Sequence, residues 1–102
     1  MKEWKLICRV DEIPTLGSRV VKSQGTDIAV FRTAGDEVFA MHDRCPHKGG
    51  PLSQGIVHGR RVTCPLHGMN IGLDDGNAVA PDVGHVPCIE VKVDGGHVYL
   101  KI

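Results

Sequence analysis

Two short segments of the chain each place a cysteine close to a histidine. They are Cys45-Pro46-His47 and Cys64-Pro65-Leu66-His67, and sixteen residues lie between His47 and Cys64. A thiolate is a soft, charged ligand and a neutral imidazole is a common partner to it at metal sites. Two such pairs therefore predict a metal centre held between two loops of the chain.

The mixed composition of the two segments favours an iron–sulfur centre. Structural zinc sites usually pair cysteine with cysteine and histidine with histidine, whereas each segment here supplies one of each. In a [2Fe–2S] cluster, Cys45 and Cys64 would bind one iron and His47 and His67 the other, and imidazole in place of thiolate raises the reduction potential. A structural zinc site is the alternative that the residue types leave open.

Glycines follow both segments closely: Gly49 and Gly50 after the first, Gly68 after the second. A residue without a Cβ lets the backbone approach a neighbouring group. We expect the N–H groups of these glycines to donate hydrogen bonds to the cluster sulfides, which would tune the potential.

The elements that must position these loops are short strands. Apolar and polar residues alternate from Trp4 to Val10, which predicts a strand with Cys8 on the same inward side as Trp4 and Leu6. Apolar runs at 27–31 and 38–41 flank 34–37 and predict a hairpin, and alternation at 89–93 and 98–102 flanks Asp94-Gly95-Gly96 and predicts another. Residues 45–87 are rich in Gly, Pro and His, and no segment has a sustained helical period. An all-β domain with a loop-rich insertion follows.

Length and charge restrict the function. A chain of 102 residues is expected to form one domain. Twelve basic residues balance twelve acidic ones, which argues against nucleic acid or an anionic membrane as a partner. No apolar run is long enough to span a membrane, and the N-terminus lacks the pattern of a secretion signal. We therefore expect a cytoplasmic protein, in which cysteines usually bind metal, react or pack, and seldom form disulfides.

Catalytic motifs are not recognisable in this sequence. It has no nucleophile–base pair, phosphate-binding loop or mononuclear iron triad. The sequence therefore predicts an electron carrier without a substrate site of its own.

Residues 45–50 and 64–68 resemble the two ligand loops of the Rieske family, and the resemblance extends over nearly the whole chain. It implies an all-β fold in which an antiparallel β-sandwich base carries a small, loop-rich cluster-binding subdomain. That subdomain would occupy about residues 43–86 of a single domain, 1–102. The resemblance also implies one Rieske-type [2Fe–2S] cluster per chain, with a proline-containing loop over it at Ala80-Pro81-Asp82. The implied ligands are Cys45, His47, Cys64 and His67.

Two departures from the respiratory members of the family concern the potential. Those proteins join a second cysteine in each loop by a disulfide, whereas Gly50 and Leu66 stand at these positions here. They also place a serine and a tyrosine after the second histidine, where this chain has Met69 and Ile71. Losing two hydroxyl donors destabilises the reduced cluster, so we predict a potential near the low end of the range of roughly −150 to +300 mV for Rieske centres.

Two kinds of family member fit this length. Residues 4–8, 45–52 and 67–71 look more like the small subunit of assimilatory NAD(P)H-dependent nitrite reductase. That resemblance implies a large partner subunit with FAD, a [4Fe–4S] cluster and sirohaem, which reduces nitrite to ammonia. The alternative is the ferredoxin of an aromatic ring-hydroxylating dioxygenase, whose partners are a reductase and an oxygenase. A regulatory or purely structural subunit is a third class.

The remaining cysteines and charged residues have ordinary interpretations. Cys8 and Cys88 are predicted to be buried, inert thiols, with a disulfide between them as the alternative. Arg60-Arg61 is predicted to belong to a hairpin between the two ligand loops as a pair of solvated charges, and docking to an acidic partner is the second interpretation. Lys48 is either a solvated side chain or a charge that favours the reduced state. The four remaining histidines are predicted to be surface or turn residues: His42, His58, His85 and His97.

Overall fold

The computed structural model describes residues 2–46, 49–66 and 68–102. The strands in these residues pair antiparallel throughout, which confirms the predicted all-β class. Two single-turn 3-10 helices are the only helical segments of the described ranges, at Val10–Glu12 and Leu52–Gln54. The strands are β1 Trp4–Arg9, β2 Ser18–Ser23, β3 Thr26–Arg32, β4 Val38–His42, β5 Ile56–His58, β6 Arg61–Thr63, β7 Asn70–Gly72, β8 Cys88–Ile89, β9 Val91–Asp94 and β10 His97–Lys101.

Three sheets form the layers of the molecule. The first has the strand order β1-β10-β9, the second β2-β3-β4-β8, and the third β5-β6-β7. Side chains of the first and second sheets, among them Ile28, Val30 and Leu100, share one buried core. This core makes the two sheets the predicted sandwich base.

A second core lies on the other face of the central sheet. Ala29 and Phe31 of β3 belong to it, together with Val62 and Ile71 of the third sheet. Because the side chains of a strand point alternately to opposite faces, β3 is covered on both sides. This explains why β3 reads as the continuous apolar run 28–31 rather than as an alternating strand.

The first strand departs from its predicted orientation. Leu6 and Trp4 are exposed, at 59% and 41%, whereas Cys8 is buried. The pairing of β1 with β10 shifts register between Leu6 and Cys8, and such a bulge moves the following side chains to the other face. The prediction that Trp4, Leu6 and Cys8 share an inward face was therefore wrong.

Both predicted hairpins are confirmed. β3 and β4 flank residues 33–37, and β9 and β10 flank Gly95 and Gly96. The two glycines have φ of 58° and 79°, the left-handed backbone that a tight two-residue turn requires at both central positions. Among the described residues, no helix is long and apolar enough to cross a membrane.

Candidate functional site

The two cysteine-containing segments are loops that leave neighbouring parts of the second core. The first ligand loop, residues 45–50, follows β4 and leads into the 3-10 helix Leu52–Gln54. The second ligand loop, residues 64–69, connects β6 to β7 and is therefore the loop of a hairpin. His47, Lys48 and His67 lie outside the described residues, so the loops are described without them.

Each loop is closed by a hydrogen bond from the amide of its cysteine. The Cys45 N–H donates to the Gly50 carbonyl oxygen, with N···O 2.8 Å, and the Cys64 N–H donates to the Met69 carbonyl oxygen, with N···O 2.7 Å. In both cases the acceptor lies five residues after the cysteine. The two cysteines therefore occupy the same position in two equivalent loops.

A glycine closes each loop from the other side. The Gly49 N–H donates to the Cys45 carbonyl oxygen and the Gly68 N–H donates to the Cys64 carbonyl oxygen, at 2.8 and 3.0 Å. Their φ values of 72° and 70° are left-handed, which favours glycine. The prediction that these two N–H groups bind cluster sulfides was wrong, because the loops' own carbonyl oxygens accept them.

The two cysteine side chains are buried in the same core. Cys45 is 2% exposed and Cys64 1%, and both belong to the core that also contains Met69 and Ile71. Two buried thiols at equivalent loop positions are a donor set that fits a [2Fe–2S] cluster. Within the described residues no group of three or more metal-binding side chains occurs. The four-ligand prediction depends on His47 and His67 and stays a prediction.

The loops also contact each other through Gly50 and Leu66. A Cβ added to Gly50 would lie 2.5 Å from Leu66 Cδ1 and 2.9 Å from Leu66 Cγ. These are the positions at which the resemblance places the bridging cysteines of the respiratory proteins. In this chain a leucine side chain lies on a glycine instead, so the contact between the loops is apolar.

Apolar side chains also occupy the positions of the missing hydroxyl donors. Met69 and Ile71 are both buried in the core that holds the two cysteines. Neither can donate a hydrogen bond to sulfur. A reduced cluster would therefore receive no side-chain hydrogen bonds from these two positions. The predicted low potential depends on this lack.

The segment 78–84 spans both ligand loops and contains the predicted proline loop. The Ala78 N–H donates to the Gly84 carbonyl oxygen at 2.9 Å, which closes the segment. At one end the Val79 N–H donates to the Asn70 carbonyl oxygen, directly after the second ligand loop. At the other end a Cβ on Gly84 would lie 3.0 Å from Pro46. The segment includes a cis peptide bond before Pro81.

The rim of the site includes two large apolar side chains that are open to solvent. Val83, in the proline loop, is 86% exposed, and Leu66, in the second ligand loop, is 52% exposed. Sequence reasoning did not identify Val83, since an isolated valine between Asp82 and Gly84 gives no signal.

A carboxylate anchors the first ligand loop. Asp43 Oδ1 accepts the Ser53 N–H and Asp43 Oδ2 accepts the Ser53 hydroxyl, both at 2.7 Å. Ser18 donates its own hydroxyl to the Ser53 carbonyl oxygen at 2.6 Å. The start and the end of the first loop are thereby tied to each other and to β2.

Polar side chains anchor the second ligand loop. The Thr63 hydroxyl lies 2.6 Å from Asn70 Oδ1, and His58 Nε2 lies 2.7 Å from Thr63 Oγ1 and 3.3 Å from Asn70 Oδ1. The sequence predicted His58 to be a surface residue; it is exposed, and it also binds the two residues that border the loop. His85 is likewise exposed, and His42 and His97 are half-buried in strands.

An ion pair joins the third sheet to the central sheet. Arg60 lies in the turn between β5 and β6, as predicted. Its Nε donates to Glu37 Oε1 at 3.1 Å and its Nη2 donates to Glu37 Oε2 at 2.5 Å. The hydrogen bond from Arg60 lowers the pKa of the Glu37 carboxyl, and Glu37 raises the pKa of the guanidinium. The turn is therefore held by a partner inside the molecule.

The cysteines outside the loops are free thiols. Cys8 is buried as predicted, but Cys88 is exposed, so its predicted burial was wrong. Its partner strand β4 covers only one side of the two-residue strand β8. Burial raises the pKa of the Cys8 thiol; partial burial, with Asp75 and Asp74 nearby, raises that of Cys88. Both thiols are protonated at neutral pH.

Comparison with known proteins identifies relatives along most of the chain. Residues 3–90 match the family model described as the Rieske [2Fe–2S] domain. The ferredoxin subunit of 3-phenylpropionate/cinnamic acid dioxygenase from Photorhabdus laumondii is 35% identical over 98 residues, which cover 94% of this chain and 91% of that protein. The structure described as an NADH-dependent nitrite reductase small subunit from Mycobacterium tuberculosis superposes with a TM-score of 0.88 at 25% identity, covering 100% of this chain and 96% of that one.

Some relatives are much longer than this chain. The 4beta-methylsterol monooxygenase of Methylococcus capsulatus is 43% identical over 65 residues, 64% of this chain but only 17% of that protein. The similarity to this oxygenase is therefore confined to a part of its length.

Proposed function

This chain belongs to the Rieske [2Fe–2S] domain family, and we propose that within it the chain is the small subunit of an assimilatory NAD(P)H-dependent nitrite reductase. As an electron-transfer protein of this family it has a Rieske-type [2Fe–2S] cluster as its cofactor. The proposal of a nitrite reductase subunit concerns which protein receives the electron from this cluster.

We propose that Cys45, His47, Cys64 and His67 hold the cluster, which accepts and returns one electron at a time. The two equivalent loops support this, because each presents its cysteine at the same point of a closed backbone ring. The near-complete burial of both thiols excludes water from the sulfur side of the site. The histidines follow two and three positions after their cysteines and would complete the set from the outer side.

The apolar rim supports transfer to a docked partner. Electron transfer requires the acceptor to approach the cluster closely, and Leu66 and Val83 offer an apolar contact surface at that edge. Burying such side chains against a partner contributes about 25 cal/mol for each Å² of apolar area. Replacing Val83 by serine is expected to weaken docking without changing the cluster.

The observation that carries the nitrite reductase assignment is the pattern of the ligand loops. Residues 45–52 and 67–71 resemble those of nitrite reductase small subunits. The full-length superposition on a structure with that description supports the proposal, since both chains are covered almost completely. The large FAD and sirohaem subunit is the partner that this proposal implies.

A dioxygenase ferredoxin is the second candidate. The relative from Photorhabdus laumondii, a dioxygenase ferredoxin subunit, matches at 35% identity along nearly all of both chains. Under this alternative the partners would be a flavin-containing reductase and a terminal oxygenase.

Reconstitution with each class of partner tests the assignment. Cluster-loaded protein would be added to a sirohaem subunit, and NAD(P)H oxidation dependent on nitrite would be measured with and without it. In parallel, reduced protein would be mixed with a dioxygenase oxygenase component and its reoxidation followed. Nitrite-dependent turnover that requires this chain supports the proposal. Fast reduction of the oxygenase by this chain, with no effect of the chain on nitrite-dependent turnover, supports the alternative. A Cys64→Ser variant that still sustains full turnover would indicate a structural subunit.

A further inference from the structure

His58 sits beneath the second ligand loop, although it is six residues away from Cys64 in the sequence. Thr63 and Asn70 form the last paired residues of β6 and β7, and the loop 64–69 begins and ends directly above them. His58 reaches across from β5 and contacts both. We infer that His58 is a positioning residue, which holds the second ligand loop through Thr63 and Asn70. This inference rests on the proposed cluster-carrying function.

The hydrogen-bond directions follow from the atoms involved. Asn70 Oδ1 can only accept, so the Thr63 hydroxyl donates its one hydrogen to it over 2.6 Å. Thr63 Oγ1 then acts as an acceptor toward His58 Nε2 at 2.7 Å. His58 must therefore carry a hydrogen on Nε2. The hydrogen bonds then run in one direction, from His58 to the Thr63 hydroxyl and from that hydroxyl to the Asn70 side-chain oxygen. The three side chains form a single clasp across the three strands of the third sheet.

The clasp acts on both ends of the ligand loop. Thr63 precedes Cys64, and Asn70 follows Met69, whose carbonyl oxygen accepts the Cys64 N–H. The Asn70 carbonyl oxygen also accepts the Val79 N–H and so connects the same point to the proline loop. A change in the distance between Thr63 and Asn70 would therefore displace both Cys64 and the proline loop.

The first ligand loop provides an internal control. It has the same closing bond, from the Cys45 N–H to the Gly50 carbonyl oxygen, but it is anchored by Asp43 on Ser53. Among the described residues of this loop (45, 46, 49 and 50), none is hydrogen-bonded to a clasp side chain. A clasp variant should therefore loosen residues 64–69 and leave residues 45–50 as they are.

Hydrogen–deuterium exchange of the cluster-loaded protein, read by mass spectrometry, tests this. His58→Leu and Thr63→Val remove the hydrogen bonds but keep similar side-chain volume, whereas His58→Gln and Thr63→Ser keep a donor or a hydroxyl. Losing one hydrogen bond is expected to speed exchange of the segment 60–70 about fivefold, the equivalent of about 1 kcal/mol. Exchange of the segment 43–52 should not change, and the two conservative variants should restore protection.

Pulsed EPR of the reduced cluster measures the nitrogen couplings of the histidine ligands, and a general loss of stability would not change one coupling and leave the other as it is. Thr63→Val is expected to broaden the nitrogen coupling of one histidine ligand and to leave that of the other unchanged. Equal broadening of both, or unchanged exchange in the segment 60–70, would overturn the role of His58. If the wild-type chain binds no cluster, the proposed function fails instead, so the two failures are distinguishable.

Discussion

Gly55 lies where the segment that follows the first ligand loop contacts the residue that precedes the second, and Gly55→Ala tests whether this contact positions the second loop. Gly55 ends the 3-10 helix that follows the first loop and lies against Thr63, which enters the second. An added Cβ would lie inside the van der Waals distance of the Thr63 carbonyl oxygen, 3.1 Å from the Leu52 carbonyl oxygen and 3.0 Å from Val62 Cγ2. Two of these three atoms belong to the backbone and cannot rotate away.

The cost of this substitution can be worked from the contacts. The φ of Gly55 is −80°, which alanine adopts freely, so the strain comes from crowding alone. Overpacking costs about 1–3 kcal/mol, and contact with backbone places this site at the upper end. The restriction of the unfolded chain by alanine returns about 0.4–1 kcal/mol. A net destabilisation of about 2 kcal/mol follows from these ranges.

Urea unfolding of Gly55→Ala and Gly35→Ala compares the crowded position with an open one. Nothing lies within 4 Å of a Cβ on Gly35, so that variant should unfold at or slightly above the wild-type midpoint. Gly55→Ala should unfold at a lower urea concentration and bind less iron per chain, because relieving the contact displaces Thr63 and with it Cys64. Equal midpoints and equal iron contents for the two variants would refute the role of the contact between Gly55 and Thr63.

Three further predictions concern stability and reactivity. Because the pKa of Glu37 is lowered by its hydrogen bond with Arg60, the contribution of this ion pair to stability is present above the unfolded pKa and is lost as pH falls through the folded pKa. Glu37→Gln should therefore lower the melting temperature slightly at pH 7, and this effect should shrink as the pH is lowered into the acid range; an effect that does not change with pH would contradict the ion pair. Ile71→Ala leaves a cavity at a fully buried position and should lower the free energy of unfolding in denaturant by about 2–5 kcal/mol. A decrease below about 1 kcal/mol would show that Ile71 is not packed in this core. Iodoacetamide should label exposed Cys88 before Cys8, with a rate at pH 7 below that of an unperturbed thiol, and faster labelling would contradict its raised pKa.

Local patterns carried the features that the sequence predicted correctly. The two Cys-Pro segments mark loops because each is closed by backbone hydrogen bonds within five residues of its cysteine. The hairpin at 94–97 could be predicted for the same reason, since a two-residue turn with positive φ at both positions favours glycine. The two-sided burial of β3 also left a local signal, in the unbroken apolar run 28–31.

The features that the sequence did not predict depend on distant pairing. The bulge between Leu6 and Cys8 exists only in the pairing of β1 with β10, which alternation along one strand cannot show. The Gly49 N–H was assigned to a sulfide because glycine permits that approach, but the Cys45 carbonyl oxygen needs a donor as well and lies closer along the chain. His58 was missed because its partners become neighbours only when β5, β6 and β7 form one sheet.

Pulsed EPR of the reduced, cluster-loaded protein determines whether the two loops each supply one cysteine and one histidine. The wild-type chain should show two strongly coupled imidazole nitrogens, and His47→Cys and His67→Cys should each show one. A chain that binds stoichiometric zinc instead, or a reduced cluster without coupled nitrogens, would contradict this ligand set.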